Sequence, residues 1–467
     1  MVKRLWAALL LSFSLAWAQD VGEMPPTVPP VYALTGATVA VGNGQVLSNA
    51  SIVIQEGLIK AVGPDIPVPP GAWEMDLSDM YVYPGMIDSL THVGLRRESA
   101  GTGPAARGPN RPPQRGAPRR QGPKSEEGPG LFAYVSAADR LDAKDKKLPS
   151  WREAGILSLN VAPAGGIFRG VTAVVNLNGK DADHMIVRSS VAMNMSFQGM
   201  GFRTFPGSLL GVMAHIRQTL FDAQQYKAAW EVYSPDKRGL ERPETDRTLD
   251  ALQPVIDGSL PLVFPAKRER EIRRALKISR ETGTQCVIAG GFEAGSVADL
   301  LKEREVLVLL SLNYPKKPKD SNPEAEESLS TLRYRVNAPK AAAGLYQAGV
   351  RFAFFSDGIS KASGFLEGIR RAIENGLPEN AALRAATLSA AEILGVADQL
   401  GSIETGKIAN LVVSDKDLFK EKAHVRHVFV DGIHYETPAK DTGKKGAKED
   451  TPASLHTSEF HPENSTR

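Results

Sequence analysis

Asp357 ends an apolar run, Phe352-Ala353-Phe354-Phe355-Ser356-Asp357. A carboxylate at the end of a buried strand is ionised at a solvent-facing rim, paired, or protonated. At a rim it can act as a base or clamp a substrate. The plainer reading pairs it with an arginine or has it cap the next helix. His92 closes a second apolar stretch, Met86–Val93. It offers an imidazole to a ligand or substrate, or is a polar residue satisfied near a strand end. Asp181-Ala182-Asp183-His184 is a compact cluster of metal-binding residue types. It follows Asn178-Gly179, which reads as a hairpin turn. Cys286 is the single cysteine and lies in Gln285-Cys286-Val287-Ile288-Ala289. It reads as a thiol on a buried strand, with no partner for an intrachain disulfide and no histidine nearby in sequence. His215 falls on a helix. His424, His427, His434, His456 and His461 fall in a C-terminal β segment or a tail and are poor ligand candidates.

The elements that carry these residues alternate. Tyr32–Val41, Ser51–Val62 and Trp73–Val82 are β-rich runs separated by Gly, Asn and Pro turns. Met86–Val93 is a strand, then Gly155–Val161 and Val171–Leu177. The pattern predicts a helix over Gly211–Tyr233, with Val212, Ile216, Leu220 and Ala223 on one face. Strands at Leu260–Phe264, Cys286–Ala289, Val306–Leu312 and Arg351–Phe355 alternate with helices at Arg268–Thr282, Ala294–Arg304, Asn337–Ala348, Gly364–Asn375 and Asn380–Leu394. The charge-rich run Lys267–Arg274 reads as the solvated face of a helix. Such alternation argues for parallel βαβ units, and their number suits a barrel. No Gly-x-Gly-x-x-Gly turn follows the first strand, as an open nucleotide-binding sheet would require. Ala409–Val413 and Val425–Tyr435 return to β, the second split by Asp431-Gly432, a type I′ hairpin signal.

The fold class is therefore α/β: a (β/α)8 TIM-type barrel with a small composite β domain built from N- and C-terminal segments. Residues 32–83 plus 401–436 make the β domain and 84–400 the barrel. Lys3 and Arg4, the apolar run Leu5–Leu15 and Ala16-Trp17-Ala18 make residues 1–18 a signal peptide, so the expected location is exported, periplasmic or secreted. A Pro-rich leader follows at 19–31. Residues 99–130 are rich in Gly, Pro and Arg and are expected to be a disordered insertion, as is the 437–467 tail. The net charge of +3 gives no reason to expect nucleic acid as a partner, and no later run suggests a stable membrane anchor.

Pro84-Gly85-Met86-Ile87-Asp88, followed by Leu90-Thr91-His92, resembles the first barrel strand of the amidohydrolase superfamily, whose motif is Pro-Gly-x-Ile-Asp-x-His-x-His. Ala386–Gly395 and Gly401–Val413 are similar to its C-terminal signature, and Phe352–Gly358 to its eighth strand, which ends in Asp. The style is closest to the exported, imidazolonepropionase-like branch. The resemblance implies metal-assisted hydrolysis of C–N bonds in amides or cyclic amides other than peptide bonds. A divalent cation such as zinc would activate a water. His92 and Asp357 would be metal ligands, with Asp357 also the catalytic group handling the water's proton. The sequence departs from the pattern elsewhere. Leu90 stands at the first His, Pro265 ends the fifth strand, and Ile288-Ala289-Gly290-Gly291 carries no His. Leu and Pro offer no lone pair, and two ligands fall short of the three usual at a catalytic zinc.

Two functions follow. One is a C–N hydrolase of a small-molecule substrate. The other is a non-catalytic homologue, a pseudoenzyme, that binds a small ligand or protein partner at the barrel mouth.

Overall fold

The structure, a computed structural model, describes residues 31–96, 128–179, 181–201, 204–234, 239–317 and 326–437. The signal segment, most of the leader, residues 99–127 of the insertion and all of the tail after Thr437 lie outside the described residues. Among the described residues no helix is long and apolar enough to cross a membrane.

The chain begins with five strands: β1 (Val31–Ala40), β2 (Val46–Gln55), β3 (Leu58–Pro64), β4 (Trp73–Asp76) and β5 (Tyr81–Pro84). The run Ser51–Val62 is thus two strands. Glu56 and Gly57, with φ of 53° and 79°, turn the chain back on itself between them. Pro84-Gly85 then delivers the chain into a second region. Gly85 is required here, because a Cβ would sit 2.8 Å from the Leu157 side chain.

The barrel strands are β6 (Met86–Thr91), β7 (Ile156–Val161), β8 (Phe168–Val171), β9 (Ala173–Asn176), β10 (Ile186–Arg188), β11 (Met193–Met195), β12 (Leu262–Ala266), β13 (Cys286–Gly290), β14 (Leu307–Ser311) and β15 (Phe352–Phe355). Ladders run β6–β7–β9–β10 on one side and β8–β11–β12–β13–β14–β15 on the other. β8 and β9 are consecutive along the chain, so they join the two sheets, with β9 on β7 and β8 on β11. β15 returns beside β6, where the Ser356 amide donates to Asp88 Oδ1 at 2.9 Å. Eight strand positions therefore circle the barrel, with the β8–β9 line as the third.

That third position corrects the expectation of uniformly parallel units, because β8–β9 runs antiparallel to both neighbours. The reason is length. Only residues 162–167 join β7 to β8, whereas a parallel crossover needs about a dozen residues or more. Two helical expectations also shift. The helix expected at 337–348 is preceded by a further helix, Leu329–Asn337. The one expected at 380–394 divides at Thr387, whose hydroxyl bonds back to Leu383 O at 2.7 Å.

Barrel strands are buried on both faces, which explains their near-continuous apolar runs. Ile87, Val263, Val287, Ala289, Leu309, Ala353 and Phe355 form one cluster inside the barrel. Their chain neighbours Met86, Phe264, Ile288, Leu310 and Phe354 pack outward with the helices. Three last strands, β16 (Leu411–Ser414), β17 (Val425–Val430) and β18 (Ile433–Glu436), rejoin the first sheet in the order β18-β17-β16-β5-β1-β2-β3, with β4 also on β1. Asp431 and Gly432, at φ 50° and 74°, make the β17–β18 turn.

Candidate functional site at the barrel mouth

In a (β/α) barrel the chemistry sits where the parallel strands end. His92 follows β6, Lys267 follows β12, Ser311 ends β14 and Asp357 follows β15. Because β8 runs the other way, its beginning lies at this same end, and it brings Arg169 there.

The Asp357 carboxylate is engaged. Ser311 Oγ donates to Oδ2 at 2.8 Å, and the Lys267 ammonium contacts the same oxygen. Asn313 Nδ2 donates to the Asp357 carbonyl at 3.0 Å and holds this residue in its left-handed conformation, φ 48°. Lys267 is placed by the turn before its helix. The Glu271 carboxylate accepts from the Lys267 and Arg268 amides at 2.7 and 3.0 Å, a backward bond that fixes the helix start. Lys267 therefore stands outside the solvated helix face to which its charge run was assigned, and its Nζ lies 5.8 Å from the Phe292 ring centroid. Of the plain readings of Asp357, pairing with a cation is the one the structure shows, with lysine in place of arginine.

His92 Nδ1 lies 2.6 Å from Ala162 O. A carbonyl only accepts, so Nδ1 carries the proton and Nε2 keeps its lone pair. The residue is exposed to solvent, yet desolvation by nearby protein holds its pKa below the usual histidine value. Arg169 pushes it the same way and Asp357 opposes. The imidazole is thus neutral at pH 7 and acts as an acceptor.

Arg169 was not singled out from the sequence. Burial lowers its pKa, its Nε is buried without a hydrogen-bond partner, and it forms no ion pair among the described residues. Asp88 was also missed. It is fully buried, with Oδ1 accepting from Ser356 N and Leu90 N (2.9 and 3.4 Å) and Oδ2 lacking a partner. Burial raises its pKa to about 7. An Asp inside the apolar strand Met86–Thr91 was the available signal.

The fit of a divalent metal can be tested on the donors. Leu90 and Pro265 have none, and Gly290 and Gly291 close β13 without a side chain. Asp357 already holds an ammonium. Among the described residues, the barrel mouth gathers no group of three His, Cys, Asp or Glu side chains. This donor set does not fit a catalytic zinc.

The remaining candidates fall elsewhere. Asp181 caps a short helix, Ala182–Met185, by accepting from the His184 amide at 3.1 Å, so the expected turn is a capped helix. His184 and Asp181 contact each other at 2.8 Å and are two-thirds exposed. Cys286 is a free, part-buried thiol whose pKa burial raises, which keeps it protonated. It lines a cavity of about 770 Å³ with Pro261, Gln285, Val306 and Arg351, at the end where the strands begin. That cavity lies opposite the mouth. His215 Nε2 meets Pro129 O at 3.2 Å, and His424 pairs with Asp415 at 3.3 Å. His427 and His434, set aside on sequence, come together with Glu436.

Residues 279–434 match the model of the Amidohydrolase family. No curated protein matches the sequence. Among solved structures, an amidohydrolase from Thermotoga maritima MSB8 is 24% identical with a TM-score of 0.70, covering 87% of this chain and 100% of its own. A Xaa-Pro dipeptidase with bound methionine in its active site is 18% identical, TM-score 0.52, covering 87% and 100%. A prolidase complexed with N-methylphosphonate-L-proline is 20% identical, TM-score 0.52, covering 87% and 99%.

Proposed function

We propose that this chain, a member of the amidohydrolase superfamily, uses its barrel mouth to bind a small carboxylate that also carries an N–H donor, without activating a metal-bound water. Superfamily members typically depend on a divalent metal, and the family points to C–N bonds as the chemistry concerned. The donors at this mouth do not suit that metal. The observation that carries the proposal is Arg169, a part-buried arginine whose Nε is buried without a hydrogen-bond partner and which has no anion beside it among the described residues. A planar guanidinium matches a carboxylate in geometry and charge. His92 Nε2, next to it, accepts a hydrogen bond from an amide or imino N–H. The Lys267–Asp357 pair supplies one charge of each sign at the rim. The Xaa-Pro dipeptidase neighbour, solved with methionine in its active site, holds a ligand of this class.

A second reading, C–N hydrolysis at the same mouth, is favoured by the match over residues 279–434 and by the retention of His92 and Asp357. Calorimetry with L-proline and N-acetylglycine, each a carboxylate with an N–H, followed by zinc analysis and an amide and lactam panel, separates the two. Binding that Arg169→Met abolishes, with no turnover, is the expected result. Chelator-sensitive turnover with zinc lost in Asp357→Asn would replace the binding reading by the hydrolase.

A further inference from the structure

The Asp431-Gly432 turn fixes the register of the β17–β18 hairpin. Val430 faces Ile433, Phe429 faces His434, and His427 faces Glu436. Side chains alternate along a strand, so His427, Phe429, His434 and Glu436 share one face. On that face His427 Nδ1 lies 3.1 Å from His434 Nε2. One ligand atom from each of His427, His434 and Glu436 falls within 4.8 Å of the others. The His434 ring is held in place by Phe429, stacked at 4.9 Å and 26°, with the Tyr32 ring edge-on at 6.1 Å.

We propose that His427, His434 and Glu436 bind one divalent transition-metal ion of the zinc class, at a site separate from the barrel mouth. The geometry suits it. Zinc–nitrogen bonds of about 2.0–2.1 Å at a tetrahedral angle put two nitrogens about 3.3 Å apart, close to the separation present. Two imidazoles and a carboxylate select zinc, nickel or copper(II) over magnesium or calcium. Three protein ligands leave a further position for water. Partial burial keeps both histidines below their usual pKa, so protons compete little for the lone pairs at neutral pH. Without metal the two nitrogens share one proton in an imidazole–imidazole hydrogen bond. Metal takes the place of that hydrogen bond, the proton moving to the other nitrogen of the donor ring, and cross-links β17 to β18, the edge strand of the sheet.

The test uses the full chain without an affinity tag, stripped with chelator. Zinc titration is expected to give one tight equivalent, and cobalt(II) the visible bands of a nitrogen-and-oxygen site. His427→Ala and His434→Ala each weaken zinc at least ~100-fold, about 2.7 kcal/mol, and Glu436→Gln about tenfold. His92→Ala and Asp357→Asn leave binding unchanged. X-ray absorption on the wild-type zinc form, which needs no variant to fold, is expected to show two imidazoles. Fewer than two imidazoles at the zinc, or zinc affinity unmoved by His427→Phe and His434→Ala, overturns the proposal. Zinc lost with Asp357→Asn instead would count against the carboxylate-binding reading of the mouth, so the two proposals fail separately.

Discussion

The ammonium of Lys267 rests on Oδ2 of Asp357, the oxygen that Ser311 also contacts. The carboxylate that would serve a metal therefore serves a side-chain cation. The two side chains keep 44% and 24% of their exposure, so solvent screens the pair. Lys267→Met should then cost only about 0–1 kcal/mol of stability, read by urea denaturation. Its effect on N-acetylglycine affinity should be larger, about tenfold. A stability loss above about 3 kcal/mol would mean the pair is buried and structural.

Arg169 should trade stability against binding. A part-buried guanidinium with no ion pair among the described residues is unfavourable in the ligand-free protein. Arg169→Met keeps the packing volume and removes the charge, so it should leave stability unchanged or raise it by about 1 kcal/mol. Carboxylate binding should disappear in the same variant. Thermal denaturation with and without N-acetylglycine reads both effects at once. A variant that is destabilised and still binds would remove Arg169 from the site.

Asp88 makes stability fall as pH rises. Its folded pKa, about 7, lies above the ordinary aspartate value because burial penalises the charge. The folded state therefore holds more protons than the unfolded chain between about pH 4 and 7. The advantage is full below pH ~4 and is lost as pH climbs through about 7. Asp88→Asn keeps an oxygen for the Ser356 amide and cannot ionise. It should match wild type near pH ~4.5 and exceed it near pH ~8, by up to about 4 kcal/mol if the whole shift is realised. Parallel stability profiles for the two proteins would show that Asp88 is not protonated in the fold.

The barrel strands were legible because burial on both faces leaves an apolar run. The direction of β8–β9 was not, since an apolar run looks alike either way. The short 162–167 link held that information. Lys267 was absorbed into a charged run because nothing in helical periodicity marks a residue one step before the helix as turning inward. Arg169 needed the antiparallel strand to reach the mouth. His427 and His434 were within reach, because the Asp431-Gly432 turn was recognised and its register alone places both on one face with Glu436. They were set aside for their distance from the expected barrel site.

Asp431 should be the residue on which that hairpin depends most. Asn176 Nδ2 donates to its Oδ1 at 2.5 Å and Asn178 Nδ2 to its Oδ2 at 2.6 Å. Its own amide donates to Asn410 Oδ1 at 2.8 Å, and Asn410 Nδ2 donates in turn to Asn176 Oδ1 at 2.9 Å. The turn is thus bolted to a buried asparagine network at β9. Asp431→Ala removes two charge-assisted bonds, weakens the pairing of the Asn176 and Asn178 amides, and puts alanine at φ 50°. The expected cost is about 3–5 kcal/mol. Asp431→Asn tolerates the same backbone and keeps one acceptor, so it should cost about 1–2 kcal/mol. Zinc affinity at His427 and His434 should fall in step, because the turn sets their register. Urea denaturation with a parallel zinc titration measures both. An Asp431→Ala protein within about 1 kcal/mol of wild type, with zinc binding intact, would show that the register is held by the strands alone.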